Sequence, residues 1–196
     1  TLLGTAAGSS KLGRPVFFIL ANMAFPKKIL ESLRDPFARG VVSGDDTLLL
    51  LKVKNLPGAS IAFNPAPEAI VSTRPLLSLK GFWNQRKRWA SKSRHYNDAD
   101  IMAAGMVVFT ANFWLLMLGF APLISPASYL ALVVGLVIKM GSDALLMFPL
   151  MQYFKKNHLW KIFIPAQLLY PLFSILPAVA GQISGFNWKS RRYHVN

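Results

Sequence analysis

The sequence predicts an α/β segment that leads through an amphipathic interface helix into about three membrane helices. Three observations predict this fold class. The 196 residues are 53% hydrophobic and only 15% charged, too apolar for most soluble domains of that length. The apolar residues are also unevenly spread: short runs broken by Gly and Pro fill the first third, whereas no charged residue occurs between Ile101 and Ile138 or between 162 and 188. Between these regions lies a basic stretch, seven Lys or Arg residues from Arg74 to Arg94 with no acid among them.

The formal net charge of +14 would ordinarily suggest nucleic acid as a partner. Here the charge abuts long uncharged apolar runs, which favours anionic membrane lipids and phosphorylated substrates instead, and no nucleic-acid partner is expected. There is no cysteine, which excludes disulfides, Cys-based metal sites and a thiol nucleophile. The chain opens at Thr1 with neither an initiator Met nor the charged-then-apolar pattern of a signal peptide. It is expected to be the C-terminal part of a longer protein.

Residues 1–15 carry Gly4, Gly8, Ser9, Ser10, Gly13 and Pro15 and read as loop. Val16 to Leu20 has the length and Phe/Val/Ile content of a buried strand. Pro26 then opens a short helix from Lys27 to Leu33, which Asp35-Pro36 ends. After a turn over Gly40 to Gly44, Asp45 and Asp46 stand ahead of Thr47 to Lys54, whose four consecutive leucines suit a packed helix. Carboxylates at a helix start are favoured by the backbone dipole, and simple capping, worth about 1 kcal/mol, accounts for them on these grounds alone. Pro57-Gly58 makes a turn, and Ile61 to Phe63 and Ile70 to Ser72 read as short strands joined through Asn64-Pro65-Ala66-Pro67. This first third is too small to be a complete nucleotide-binding fold.

Leu76 to Tyr96 reads as an amphipathic helix with Leu76, Leu79, Phe82, Trp83 and Trp89 on one broad side and most of the basic residues on the other; Arg86 intrudes on the apolar side. Such a helix can lie in the bilayer interface, held there by its tryptophans and by snorkelling lysines. Within it Gln85, Arg88 and Trp89 form Q-x-x-R-W and fall at i, i+3 and i+4, on one helical face. The guanidinium can hold phosphate oxygens with two bonds, the amide adds a neutral one, and the indole can pack against a sugar ring, a set suited to a sugar-nucleotide diphosphate. A solvated or membrane-surface basic stretch is the plainer reading of the same residues.

Ile101 to Ala121 is long enough to span a bilayer, since ~20 helical residues cover its ~30 Å core. Ala127 to Met151 is a second candidate, interrupted by Lys139 and Asp143, which four-residue spacing makes an intramembrane pair. Lys155, Lys156, His158 and Lys161 then form a basic loop expected in the cytoplasm. Residues 162–188 are long enough to cross again, although Pro165, Pro171 and Pro177 make a bent or re-entrant segment plausible. A third crossing would put Lys189, Arg191 and Arg192 outside, against the positive-inside tendency, so the side of the C-terminus stays open.

The order of these features resembles the C-terminal half of membrane-embedded family 2 glycosyltransferases, the group of hyaluronan, chitin and cellulose synthases and ceramide glucosyltransferases. It is carried by Asn22-Met23-Ala24-Phe25 before a basic helix, Ser43-Gly44-Asp45-Asp46 before a leucine-rich one, Gln85-Arg86-Lys87-Arg88-Trp89, and membrane segments closing with Trp188-Lys189-Ser190-Arg191-Arg192. The resemblance implies the later part of a GT-A type catalytic domain over 1–75, an interface helix over 76–97, membrane helices at about 101–121, 127–151 and 162–186 within 98–188, and a basic tail over 189–196. It implies Asp46 as the catalytic base of an inverting transfer, with Asp45 supporting it, Gln85 and Arg88 on the donor pyrophosphate, Trp89 shaping the acceptor site and Asn22 in the acceptor loop. Leu20-Ala21 departs from the small residue usual before that loop.

The family also implies a divalent metal, Mg or Mn, held through an upstream D-x-D; Asp98-Ala99-Asp100 comes too late in the chain and reads as a helix-start pair. The metal ligands are therefore expected outside this chain, and the chain alone is expected to be inactive. The expected partners are a nucleotide sugar carrying uridine diphosphate, a lipid or polysaccharide acceptor, and membrane lipids. The expected location is the inner membrane, multi-pass, with the catalytic part cytoplasmic. The contrasting reading is a non-catalytic membrane scaffold whose basic helix binds lipid or a partner.

Overall fold

The computed structural model describes residues 2–18, 20–37, 45–188 and 191–193. It divides into two compact units, Leu2–Ala104 with Ala180–Asn196, and Gly105–Val179.

In the first unit the opening residues form a helix, α1 (Leu2–Lys11), where loop was expected. The small residues that lower its intrinsic propensity also let it pack closely: Gly4 and Ala6 are buried, a tertiary gain that overrides propensity. Ser9 Oγ donates to the Ala6 carbonyl at 3.2 Å and accepts from the Val16 N–H at 3.3 Å, so the chain beyond the helix folds back on it. Gly13, at φ +69°, makes the reversal that a side chain would oppose. Val16 is buried, but Val16–Phe18 form no strand; Ile19 lies outside the described residues, and a 3₁₀ turn covers Leu20–Asn22. α2 (Lys27–Ser32) follows Pro26 as predicted.

The Gly40 to Gly44 turn and Ser43 lie outside the described residues. α3 (Asp45–Lys54) is the centre of this unit: Thr47, Leu48, Leu49, Leu50 and Leu51 are all buried, with Leu49 at 2% exposure. Five consecutive buried positions cover more than one stripe, so α3 is enclosed rather than laid on a surface. Each buried leucine contributes about 1.5–3 kcal/mol. The strands expected at Ile61 to Phe63 and Ile70 to Ser72 are absent; the chain there is irregular around a 3₁₀ turn at Pro67–Ala69. Ile70 and Val71 are 42% and 52% exposed, and no neighbouring strand among the described residues supplies a hydrogen-bonding ladder.

α4 (Leu79–Ser91) begins at Ser78, whose Oγ accepts from the Gly81 N–H at 3.1 Å, three residues later than predicted. It passes into a 3₁₀ turn at Lys92–His95. The end of the chain is not a simple tail. β1 (Phe186–Trp188) pairs antiparallel with β2 (Arg191–Tyr193), with Phe186 opposite Tyr193 and their rings stacked 5.6 Å apart. This two-stranded ladder is the one sheet among the described residues, so the α/β first third is observed as helices and irregular chain.

The membrane prediction fares better. α5 (Ala99–Phe120), α6 (Ser128–Tyr153) and α7 (Phe163–Ile183) are each long and apolar enough to cross a bilayer. Their side chains are largely exposed, Leu130 at 73% and Leu145 at 81%, as hydrocarbon-facing residues are. Pro149 in α6 and Pro171 and Pro177 in α7 do not interrupt the helices, a tolerance typical of membrane helices. In the second unit Lys139 Nζ donates to Asp143 Oδ2 and Gln167 Oε1, each at 2.6 Å, and sits 4.6 Å from the Tyr170 ring centroid. The predicted ion pair is present, joined by two groups from α7.

Candidate active site

Two elements of the first unit supply the predicted polar residues. α3 begins with the acidic pair: Asp46 is half-buried, and its Oδ1 accepts the Thr47 N–H at 2.8 Å. The side chain of Asp45 lies outside the described residues. α4 carries Gln85, Arg88 and Trp89, all half-buried and all within one unbroken helix, so their common face follows from its geometry.

Arg88 and Asp46 are electrostatically coupled. Burial lowers the affinity of the Arg88 guanidinium for its proton, and the negative charge of Asp46 opposes that effect. Tyr96, just beyond α4, is drawn into the same place: burial raises its hydroxyl above the usual tyrosine range, a hydrogen bond with the Thr47 side chain works the other way, and the Asp46 charge adds to the rise. The Asp46 charge thus acts on both the Arg88 guanidinium and the Tyr96 hydroxyl, from the first turn of a buried helix. Sequence reasoning selected Asp46 and Arg88 but missed Thr47 and Tyr96, whose only signal is position, one directly after the acidic pair and the other at the end of the basic run.

Several other basic residues of α4 and of the turn after it engage protein groups. Arg86, which intruded on the apolar side, places its guanidinium 4.9 Å from the ring centroids of both Phe82 and Trp89, a cation–π arrangement that makes this location favourable. Trp89 therefore has a ring face committed to Arg86. Lys87 Nζ donates to the Gly185 carbonyl at 2.7 Å, and Arg94 donates to the Gln182 side chain at 2.7 Å and to its carbonyl. Both cations thereby serve the C-terminal end of α7, where the helix dipole favours positive charge. Gln182 Nε2 answers by donating to the Ala90 carbonyl at 2.8 Å and Ser93 Oγ at 2.9 Å. Lys92 is 6% exposed.

Asn22 is placed elsewhere: its Nδ2 donates to the Ala69 carbonyl at 2.6 Å, tying two 3₁₀ turns together, and no described contact joins it to Asp46 or α4. Asp98 and Asp100 form the helix-start pair expected of them. Asp98 Oδ1 accepts from the Asp100 and Ile101 N–H groups at 3.1 and 3.0 Å. Lys54 Nζ bridges Asp98 Oδ2 and Asp100 Oδ2 at 2.8 and 2.7 Å, while Arg14 reaches Asp100 Oδ1 at 2.7 Å. A cleft of about 290 Å³ beside Lys54, lined by Gly13, Pro15, Ala59, Ser60 and Ile61, contains none of the predicted site residues.

The described acids do not gather into a site for a divalent metal. Asp98 and Asp100 are committed to Lys54 and Arg14, and Asp46 Oδ1 accepts the Thr47 N–H. Among the described residues no group of three or more His, Cys, Asp or Glu converges.

Comparison with curated proteins and with solved structures returns no match. A family model does match: residues 4–181 fit glycosyl transferase family group 2. That span takes in both α3 with its acidic pair and α4 with Q-x-x-R-W, together with the three apolar helices, and the chain therefore belongs to glycosyl transferase family group 2.

Proposed function

We propose that the full-length protein is an inverting glycosyltransferase that moves a sugar from a nucleotide-diphosphate donor, a uridine diphosphate sugar, to a lipid or a growing polysaccharide at the membrane. The observation that carries this reading is the family match over residues 4–181, which takes in both Asp46 and Q-x-x-R-W, with the Asp46 charge acting on the half-buried Arg88. Asp46 takes the proton of the acceptor hydroxyl as that oxygen attacks the anomeric carbon from the face opposite the leaving diphosphate. The bond from that carbon to the diphosphate oxygen breaks with inversion. Arg88, with two bonds, and Gln85 stabilise the charge that collects on the departing nucleotide. Asp45 supports the base, and Trp89, steadied by Arg86, walls the acceptor site; Asn22 belongs to the acceptor loop beyond it. The family's divalent ion would draw its ligands from residues other than the described acids, and no step here runs through it.

The basic residues around α4 and at Lys155, Lys156 and Lys161 support a cytoplasmic catalytic face on an inner-membrane protein. A scaffold whose basic helix recruits lipid fits less well, because Arg86, Lys87 and Arg94 are engaged by the protein itself.

The test is incorporation of label from a panel of uridine diphosphate sugars by membranes containing the full-length protein, beside Asp46→Asn. Label in lipid extract or in high-molecular-mass polymer, lost in the variant, supports the reading and decides the acceptor. Activity unchanged in Asp46→Asn overturns the assignment of the base. No incorporation from any donor by correctly inserted protein favours the scaffold.

A further inference from the structure

The contacts that join the chain end to α4 gather on one side of that helix. Gly181, buried in the last turn of α7, leaves no room for a side chain between its backbone and Lys87, Ala90 and Ser91. Gln182 Nε2 donates to the Ala90 carbonyl at 2.8 Å and to Ser93 Oγ at 2.9 Å, and its Oε1 accepts from Arg94 Nε at 2.7 Å. Lys87 Nζ reaches past the end of α7 to the Gly185 carbonyl at 2.7 Å, and β1 packs on α4 directly beyond it. Successive helical residues are turned by about 100° around the axis. Lys87, Ala90 and Ser91 therefore occupy one side of α4, and Gln85, Arg88 and Trp89 the side opposite. The last carbonyls of a helix have no partner within it, and Gln182 supplies one to Ala90 from 92 residues away. Both N–H groups and the oxygen of its amide are in use, which makes it a fixed link between the two helices.

We propose that the end of α7 is a rear brace for the donor-binding face of α4, with Gln182 as its positioning residue. It fixes the height and rotation of the helix, and through them the aim of the Arg88 guanidinium and the Gln85 amide at the diphosphate of a nucleotide. A guanidinium makes two parallel bonds to phosphate oxygens only in a narrow geometry, so a small rotation of α4 is felt there. This inference rests on the assignment of Gln85 and Arg88 to the donor site.

The experiment measures the Kd of uridine diphosphate for the purified full-length protein by calorimetry, with magnesium present. Gln182→Met keeps the length of the side chain and loses its hydrogen bonds; binding is expected to weaken about tenfold, the scale of a small misplacement of a bidentate arginine. Arg88→Lys keeps the charge but loses the planar fork, and should also bind more weakly than the parent. With Arg88→Lys already in place, Gln182→Met should change the Kd by no more than about twofold, because a lysine ammonium tolerates small displacements that the fork does not. Parental affinity in Gln182→Met, with Arg88→Lys weakened, overturns the proposal and leaves the donor-site assignment standing. An equal loss from Gln182→Met in both backgrounds also overturns it, since Gln182 would then support the fold without aiming Arg88. Parental affinity in Arg88→Lys removes the donor-site assignment and this inference with it. If Gln182→Met does not fold, Lys87→Met, which breaks the bond to Gly185, decides by the same two comparisons.

Discussion

The backbone of α7 at Gly181 lies against the carbonyl of Lys87: a methyl group added at Gly181 would sit 2.6 Å from that oxygen, 2.8 Å from Ala90 Cβ and 3.2 Å from Ser91 N. Two of these three are backbone atoms, so no side-chain rotation relieves the clash. The close approach is what brings Gln182 within reach of Ala90 and Ser93, and Gly185 within reach of Lys87.

Gly181→Ala should therefore force α7 and α4 apart and cost about 1–3 kcal/mol. Thermal unfolding of the purified protein in detergent checks this, with Gly105→Ala as control. A Cβ at Gly105 meets nothing within 4 Å, and helix propensity favours Ala there by up to about 1 kcal/mol. Equal melting temperatures for the two variants would show that the packing at Gly181 does not matter.

The Lys54 clamp makes stability depend on pH. Burial alone would raise the Asp98 carboxyl, but the Lys54 hydrogen bond and the Ile101 and Asp100 N–H groups outweigh it and hold the group below the usual carboxylate value. A folded pKa below the unfolded one stabilises at pH above about 4 and is lost as pH falls through the lowered value. Lys54 behaves oppositely. Burial lowers its proton affinity, but hydrogen bonds to Asp100 and Asp98 more than compensate, so its contribution holds at neutral pH and is lost only above the usual lysine range. Melting temperature should fall between pH 5 and pH 3 by less in Asp98→Asn than in the parent, since Asn keeps the cap but cannot titrate. An identical slope in both would assign the acid sensitivity to other groups.

The parts of the fold that were legible in the sequence are those fixed by contacts close along the chain. α3 follows from its leucines and the acids at its start, α4 from its periodicity, and the three apolar helices from length and absence of charge. What was not legible depends on distant partners. Ile61 to Phe63 and Ile70 to Ser72 have strand composition, but a strand exists only where another supplies the ladder. α1 looked broken by Gly and Ser, yet Gly4 and Ala6 are small enough to be buried. The nearness of Asp46 to the Q-x-x-R-W helix was implied by resemblance, whereas the influence of the Asp46 charge on Tyr96 depends on the folded path of the linker. The basic face of α4 read as solvent- or lipid-facing because composition does not reveal that Lys87 and Arg94 find carbonyls at and just beyond the end of α7.

Lys139 joins α6 to α7 through Gln167 while pairing with Asp143, in surroundings where an unpaired charge is costly. Lys139→Met leaves Asp143 without its cation and should cost about 3 kcal/mol. Gln167→Leu removes one charge-assisted bond and should cost about 1.5–3 kcal/mol. The double variant Lys139→Met with Asp143→Leu should recover most of the loss, because it removes both charges. The fraction of protein that stays monodisperse after heating in detergent measures all three. A double variant no more stable than Lys139→Met would mean that the pair is not the source of the cost.

The contacts of Gln182 and Gly185 with α4 also bear on the side of the membrane to which the chain end belongs. α4, the first residues of α5 and the residues from Ala180 onward lie in one compact unit, and Lys87 and Arg94 bond directly to the end of α7. The chain end and the Q-x-x-R-W helix are therefore expected to share one face of the membrane, with an even number of complete crossings between them. One of the three apolar helices is then expected not to cross fully. That arrangement would leave the basic residues near the chain end on the same side as those of α4, in agreement with the positive-inside tendency. The absence of native cysteine makes the test direct. His95→Cys and Asn187→Cys each place one thiol at an exposed position. A membrane-impermeant maleimide should label both in inverted vesicles and neither in intact cells. Labelling of the two from opposite sides would show three complete crossings and would separate the end of α7 from α4 in the membrane.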